Sequence, residues 1–305
     1  MQSKKVISIQ DTSRWAVILA GGEGTRLRPL TRVIAGDDRP KQFCTVIGNE
    51  TLLSQTVRRV ARVAPSERTK VVLTRNHERF FPRITDMRAS AIIQPENRGT
   101  ASAILYSLLS IASEDPQAQA ALFPADHYHA DDAALTQYVD LAYRAVARQP
   151  DLIILLGVIP TGPQVDYGWI EPGEPVLDAP SSALFRVRRF WEKPTLGLAK
   201  DLLMRGCLWN SFVLVGAVRV LLRLIRSTVP ELYRSFGAIA AAIATPEESR
   251  VVKETYERIP SVDFSGEVLH ANPRALTVLP VADTSWTDMG RPDRVLAVLA
   301  ACASK

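Results

Sequence analysis

The chain has 305 residues, 47% hydrophobic and 23% charged, with a formal net charge of +5. That size supports one large α/β domain or two smaller ones without staples, and three cysteines lacking any Cys-x-x-Cys pair read as reduced thiols in a cytoplasmic protein. Met1 to Arg14 has no apolar leader core, no apolar run reaches about 18 residues, and the basic residues are dispersed, so export, membrane spanning and nucleic-acid binding are not expected, whereas small anionic substrates are. In chain order, residues 15–19, 70–74, 91–93, 120–123 and 152–158 read as buried strands, and 51–63, 100–113 and 132–148 as amphipathic helices between them. Such alternation predicts a mostly parallel sheet covered on both faces, with a ligand site beyond the carboxyl ends of the strands. The stretch 162–180 is rich in Gly and Pro and carries no expected element. It is followed by a strand (184–191), a helix (196–205), a strand (209–215) and a helix (218–227), then a strand (275–281), a loop (285–290) and a closing helix (291–302). No repeat of fixed period and no low-complexity tract interrupts this order.

The densest chemistry lies in Leu19-Ala20-Gly21-Gly22-Glu23-Gly24-Thr25-Arg26-Leu27-Arg28-Pro29, at the end of the first strand, and in Arg39-Pro40-Lys41-Gln42-Phe43 after it. Glycines let successive backbone N–H groups converge on phosphate oxygens, and Arg26, Arg28 and Lys41 add positive charge. A P-loop needs Gly-x-x-x-x-Gly-Lys-Ser/Thr, which is absent. A dinucleotide fingerprint needs a third glycine where Leu27 stands and a helix directly after it, and Pro29 argues against a helix starting there. A Rossmann oxidoreductase is disfavoured accordingly. The plain alternative is a turn that only caps a strand.

Gln94-Pro95-Glu96-Asn97-Arg98-Gly99-Thr100-Ala101 leads from a strand into a helix, with Thr100 as N-cap or first-turn residue and free amides beside it for an anion or a base edge. Asp126 follows the buried strand that ends at Phe123 and Pro124, and Asp288 lies in Trp286-Thr287-Asp288-Met289-Gly290. Two carboxylates at strand ends are common in α/β proteins, so spacing alone leaves their pairing open. His127 and His129 read as loop histidines rather than as a metal pair, for want of a third ligand.

Taken together these segments resemble the sugar-1-phosphate nucleotidyltransferases, whose opening loop reads Gly-Gly-x-Gly-Thr-Arg-Leu before a Pro-Lys pair. The Gln94 to Ala101 stretch is closer to the mannose-1-phosphate guanylyltransferase branch than to the thymidylyl or uridylyl branches. Tyr167-Gly168-Trp169-Ile170, Phe190-Trp191-Glu192-Lys193-Pro194, Trp209-Asn210-Ser211 and Ser261-Val262-Asp263 continue the resemblance in the family's order. It implies a Rossmann-like α/β fold, the nucleotide-diphospho-sugar transferase fold, with a mostly parallel mixed sheet flanked by helices. Residues 1–14 would be an N-terminal extension and 15–305 one domain, with a nucleotide-binding half (15–159), a sugar-binding half (160–305) and no further β-helix or cupin module.

By the same resemblance, Arg26, Lys41 and Asp126 are catalytic, and Leu19, Ala20, Gly21, Gly22, Gly24, Thr25, Arg26, Gln94, Glu96, Asn97, Thr100 and Ala101 bind nucleotide. Gly168, Glu192, Lys193, Asn210 and Asp263 bind the sugar phosphate, and Asp126 and Asp288 hold Mg²⁺, a hard cation suited to carboxylates and phosphates. The implied reaction is in-line attack of a hexose 1-phosphate on the α-phosphorus of a nucleoside triphosphate, releasing pyrophosphate, with mannose 1-phosphate and GTP as the indicated pair. A homodimer is compatible with this reading, and a catalytically silent sugar-nucleotide-binding regulator or another base and sugar are the alternatives. Arg28, Ser102 and Phe212 depart from the guanylyltransferase pattern, where Trp, Pro and Gly are usual, which puts the hexose and the base in question.

Overall fold

The computed structural model describes residues 13–81, 90–177, 184–282 and 285–303. One nine-stranded sheet organises them: β1 (Arg14–Leu19), β2 (Thr69–Thr74), β3 (Ser90–Gln94), β4 (Gln119–Pro124), β5 (Ile153–Val158), β6 (Gly168–Pro175), β7 (Phe185–Glu192), β8 (Leu208–Ala217) and β9 (Thr277–Val281), in the order β3-β2-β1-β4-β8-β5-β9-β7-β6. β1 pairs in parallel with β2 and β4, β2 with β3, and β5 with β9, while β8 and β7 run against their neighbours. The expected mostly parallel mixed sheet is therefore present. β2 and β5 are buried along their whole length, as continuous apolar strands covered on both faces must be.

The helices form where caps and apolar faces predict them. Thr51 accepts from the Ser54 amide at the start of α2 (Leu52–Val60), and Asp131 accepts from the Ala133 and Ala134 amides at the start of α4 (Asp132–Arg148). α3 (Gly99–Glu114) buries Ile104, Leu105, Leu108 and Ile111 completely, each contributing about 2 kcal/mol of apolar burial. α5 (Leu196–Met204), α6 (Val218–Thr228) and α10 (Pro292–Ala303) match their expected positions, and α7 (Pro230–Ser235), α8 (Gly237–Ala242) and α9 (Glu248–Tyr256) fill a region that carried no expectation. Among the described residues no helix is long and apolar enough to cross a membrane.

Two expectations are corrected. Pro29 does not bar a helix: α1 (Arg28–Ala35) begins there, with Pro29 in its first turn, where the missing N–H would have no intrahelical partner. The Gly/Pro-rich stretch is not without structure either, because β6 occupies part of it, pairing Gly168 with Glu192 and Trp169 with Trp209.

β8 carries the geometry of the site. It runs opposite to β4 and β5, so its first residues lie at their carboxyl ends, with Trp209 paired to Val158 and Asn210 to Gly157. The end of β7 and the start of β6 are thereby brought to the same edge as the loops after β1, β3 and β4.

Candidate active site

A cavity of about 260 Å³ opens at that edge. Of the predicted nucleotide residues, Leu19, Gly21, Gly22, Gln94, Asn97 and Thr100 line it; of the predicted sugar residues, Gly168, Glu192 and Asn210 do; and both predicted metal carboxylates, Asp126 and Asp288, reach it. The halves read separately in sequence thus share one cleft.

The glycine turn is held from below. Gln42 is buried and donates from Nε2 to the carbonyls of Ala20 (2.9 Å) and Gly22 (2.8 Å), while the Ala20 amide donates to Val72. Gly24 has φ +58°, and a Cβ there would stand 3.3 Å from the Lys41 amide, so this glycine lets the turn close onto the Lys41 segment. Thr25 and Arg26 form the following short turn, and both are exposed and outside the cavity wall. Lys41 is 7% exposed and emerges under the turn, its ammonium 3.3 Å from Asp126 Oδ2 and 2.5 Å from the Asp288 carbonyl.

The loops that carry the two carboxylates to the cavity are stitched together. Tyr128 and Thr287 exchange backbone hydrogen bonds of 2.9 and 3.1 Å, one antiparallel bridge that sets Asp126 and Asp288 on either side of Lys41. Asp288 Oδ1 accepts from the Gly290 amide (2.9 Å), Tyr167 Oη (3.2 Å) and Arg294 Nη1 (2.7 Å). The first of these closes an Asx turn, and a Cβ on Gly290 would lie 2.5 Å from Asp288 Oδ2, which explains the Asp-x-Gly spacing. Burial raises the Asp288 carboxyl, but His127, the Gly290 amide and Arg294 outweigh it and leave the group below its ordinary value. Two carboxylates present hard oxygens suited to Mg²⁺, with phosphates and water completing its shell. No group of three or more His, Cys, Asp or Glu residues able to hold a metal occurs among the described residues.

The sugar side is tight. A Cβ on Gly168 would come within 2.9 Å of Glu192 Oε2 and 3.1 Å of Asn210 Cβ, so a side chain there would displace the Glu192 carboxylate from its place in the cavity. Burial raises the Glu192 carboxyl against the pull of Lys193, whose ammonium is 3.3 Å away. Phe212 keeps φ +62°, the left-handed conformation that favours glycine, and lines the cavity beside Phe264 (ring centroids 6.4 Å apart).

Several expected residues stand elsewhere. The Ala101 amide donates to the Val262 carbonyl (3.1 Å), and the Gly99 amide to Asn97 Oδ1 (2.9 Å), so part of the α3 N-terminus is satisfied by protein instead of being left for a ligand. Thr100 lies in the first turn of α3 but does not cap it; its hydroxyl accepts from the Phe264 amide (2.8 Å) and donates to Asp263 Oδ2 (3.2 Å). Asp263 caps the turn Phe264–Leu269 through the Gly266 amide (2.7 Å), and Ser265 lines the cavity in its place. Glu96 is exposed and paired with Arg98 (2.7 Å), and Lys193 is exposed at the rim, outside the cavity wall. Gln42, Asp166 and Ser265 line the cavity without having been anticipated.

His127 accepts from Trp286 Nε1 through Nδ1 (3.2 Å), which leaves its proton on Nε2, facing Asp126 Oδ1 at 3.8 Å. Burial lowers the affinity of His127, His77 and, most strongly, His129 for a proton. His129 is 6% exposed, and its Nδ1 is buried with no hydrogen-bond partner among the described residues. Each of these groups binds fewer protons folded than unfolded, so stability is expected to fall as the pH drops below about 6.5, by at most ~1.4 kcal/mol per pH unit for each histidine, and to level off below the folded value. Melting temperatures from pH 7 to 5 for wild type and His129→Leu check this. The variant should lose less over that range, and parallel curves would remove His129 from the effect.

Comparison with known proteins places this site in a family. Over 287 residues the chain is 29% identical to mannose-1-phosphate guanylyltransferase 2 of Escherichia coli O157:H7, covering 90% of this chain and 58% of that one. It is 31% identical over 289 residues to the xanthan biosynthesis protein XanB of Xanthomonas campestris pv. campestris, covering 90% and 57%. The chain spans little more than half the length of these relatives. A solved structure described as mannose-1-phosphate geranyltransferase from Thermus thermophilus superposes with a TM-score of 0.78 at 28% identity, covering 91% of this chain and 76% of that one. The sheet is thus that of the nucleotide-diphospho-sugar transferases. The nucleotidyl transferase profile matches residues 15–305, and the chain belongs to that family.

Proposed function

We propose that the protein joins a hexose 1-phosphate to a nucleoside triphosphate with release of pyrophosphate, using mannose 1-phosphate and GTP. The observation that carries this reading is the placement of Asp126 and Asp288 around Lys41 at the mouth of a cleft walled by the glycine turn on one side and by Gly168, Glu192 and Asn210 on the other. The names of the relatives support the choice of sugar and base.

The nucleophile is a phosphate oxygen that is already ionised near neutral pH, so no general base and no covalent intermediate are required. Catalysis is then alignment of two anions and relief of their repulsion. Gly21 and Gly22 bring the backbone close to the triphosphate, and Gln42 fixes that backbone by holding two of its carbonyls. Lys41, already desolvated, meets the developing charge without reorganisation. Glu192 and Asn210 accept from and donate to sugar hydroxyls, and Lys193 at the rim offsets the sugar phosphate. Mg²⁺ held by Asp126 and Asp288 would supply charge neutralisation across the phosphates.

Pyrophosphate release, measured across a grid of nucleoside triphosphates and hexose 1-phosphates with metal-free controls, tests the reading. Release with GTP and mannose 1-phosphate is the expected result; another active pair moves the specificity, and no release from folded protein favours a silent binding homologue. Phe212 gives a finer check. Phe212→Gly is expected to narrow the gap in kcat/KM between hexose epimers by about tenfold, as a side chain's worth of pocket wall is removed. An unaltered ratio would take Phe212 out of sugar selection.

A further inference from the structure

We infer that Arg294 is the positioning residue for the Asp288 carboxylate, an inference that rests on the proposed function. Arg294 sits in the first turn of α10 with its side chain 10% exposed, a place where the helix dipole disfavours a cation. It is held there by acidic and aromatic partners. Nη1 donates to Asp288 Oδ1 (2.7 Å), Nη2 donates to Asp166 Oδ2 and Gln164 Oε1 (both 2.9 Å), and the guanidinium lies over the Tyr167 ring, 4.4 Å from its centroid. Tyr167 in turn donates to the same Asp288 oxygen.

Among the described residues, all three hydrogen bonds to the Asp288 carboxylate fall on Oδ1, and Oδ2 receives none. Arg294 therefore does for this carboxylate what an outer partner does for a metal ligand: it anchors one oxygen and leaves the other without a protein donor. The fork is the essential property. A planar guanidinium reaches Asp288 and Asp166 at once while stacking on Tyr167, which an ammonium cannot do.

The test compares the affinity for GTP with and without Mn²⁺, by calorimetry, in wild type, Arg294→Met and Arg294→Lys, with melting temperatures and pyrophosphate release as companions. The metal-dependent gain in GTP affinity is expected to fall about tenfold in Arg294→Met and to recover in part in Arg294→Lys. Turnover should be restored toward wild type by saturating Mn²⁺, so that the half-saturating metal concentration moves more than kcat. A purely structural role would lower the melting temperature of Arg294→Met and leave that gain at the wild-type value, which overturns the inference. Should Arg294→Met fail to fold, Arg294→Lys decides, with a roughly threefold smaller gain expected and an equal gain overturning it. A wild type that shows no metal-dependent gain with GTP or any other triphosphate overturns the proposed function, and this inference with it.

Discussion

Lys41→Ala is expected to lower the rate of pyrophosphate release by two to three orders of magnitude, about 3–4 kcal/mol of transition-state stabilisation, while the protein stays folded. Among the described residues, this ammonium is the cation packed directly between the two acidic loops, desolvated and touching both Asp126 and the Asp288 carbonyl. A charge in that setting is worth far more to a phosphorane-like transition state than one in water, because no solvent must reorient around it. Its loss is tolerable for folding, since the Asp126 side chain left behind is 32% exposed and open to solvent. Turnover and melting temperature measured together check this, and full activity in Lys41→Ala would sink the assignment.

Gly99→Ala is expected to be the most damaging single-methyl change to stability, at about 3 kcal/mol or more. Gly99 has φ +79°, and a Cβ there would lie 2.2 Å from the Val262 carbonyl oxygen and 2.7 Å from its carbonyl carbon. These are backbone atoms, and two further bonds, Val262 N–H to Arg98 (3.2 Å) and Ala101 N–H to Val262 (3.1 Å), clamp the segments together. Relief requires breaking that clamp and with it the Thr100 contact to Phe264. A fall in melting temperature of roughly 6 °C or more is the expected reading. A variant as stable as wild type would mean that the two segments part at little cost.

The parts of the fold legible in the sequence are those fixed by local signals. β1, β2 and β4 are short apolar runs bounded by polar residues, and α4 begins at an acidic cap and ends in an Arg, so its expected and observed bounds coincide. What was misread depends on context. Pro29 reads as a helix breaker only if the helix is taken to start earlier; with Arg28 as its first residue the same proline is well suited. β6 is hidden because glycine and proline are weak strand formers, and its start is stabilised by pairing with β7 and β8 rather than by its own propensity.

The site divides in the same way. Gly24, Gly168 and Gly290 could be picked out from motif, and the structure shows what each adjoins: the Lys41 backbone at Gly24, and the Glu192 and Asp288 carboxylates at Gly168 and Gly290. Gln42 had a detectable signal, since it follows Lys41 directly, but its function is to hold carbonyls some twenty residues earlier, which no local pattern reveals. Asp263, by contrast, has the composition of a binding residue and serves as a cap. Asp166 and Arg294 bear no mark in sequence at all; only the arrival of α10 beside the Asp288 loop gives them partners.

The Tyr128–Thr287 bridge carries a consequence for dissecting the molecule. The last strand of the sheet ends at Val281, and Asp288 and Arg294 follow it. A polypeptide cut between Val281 and Ser285 retains every described strand but only one of the two cleft carboxylates, Asp126, whereas a synthetic peptide spanning 285–303 contains Asp288 together with Arg294. The strand-bearing piece keeps the glycine turn, Lys41 and Asp126, and the short piece completes the cleft with Asp288, so mixing the two in trans tests whether the cleft reassembles.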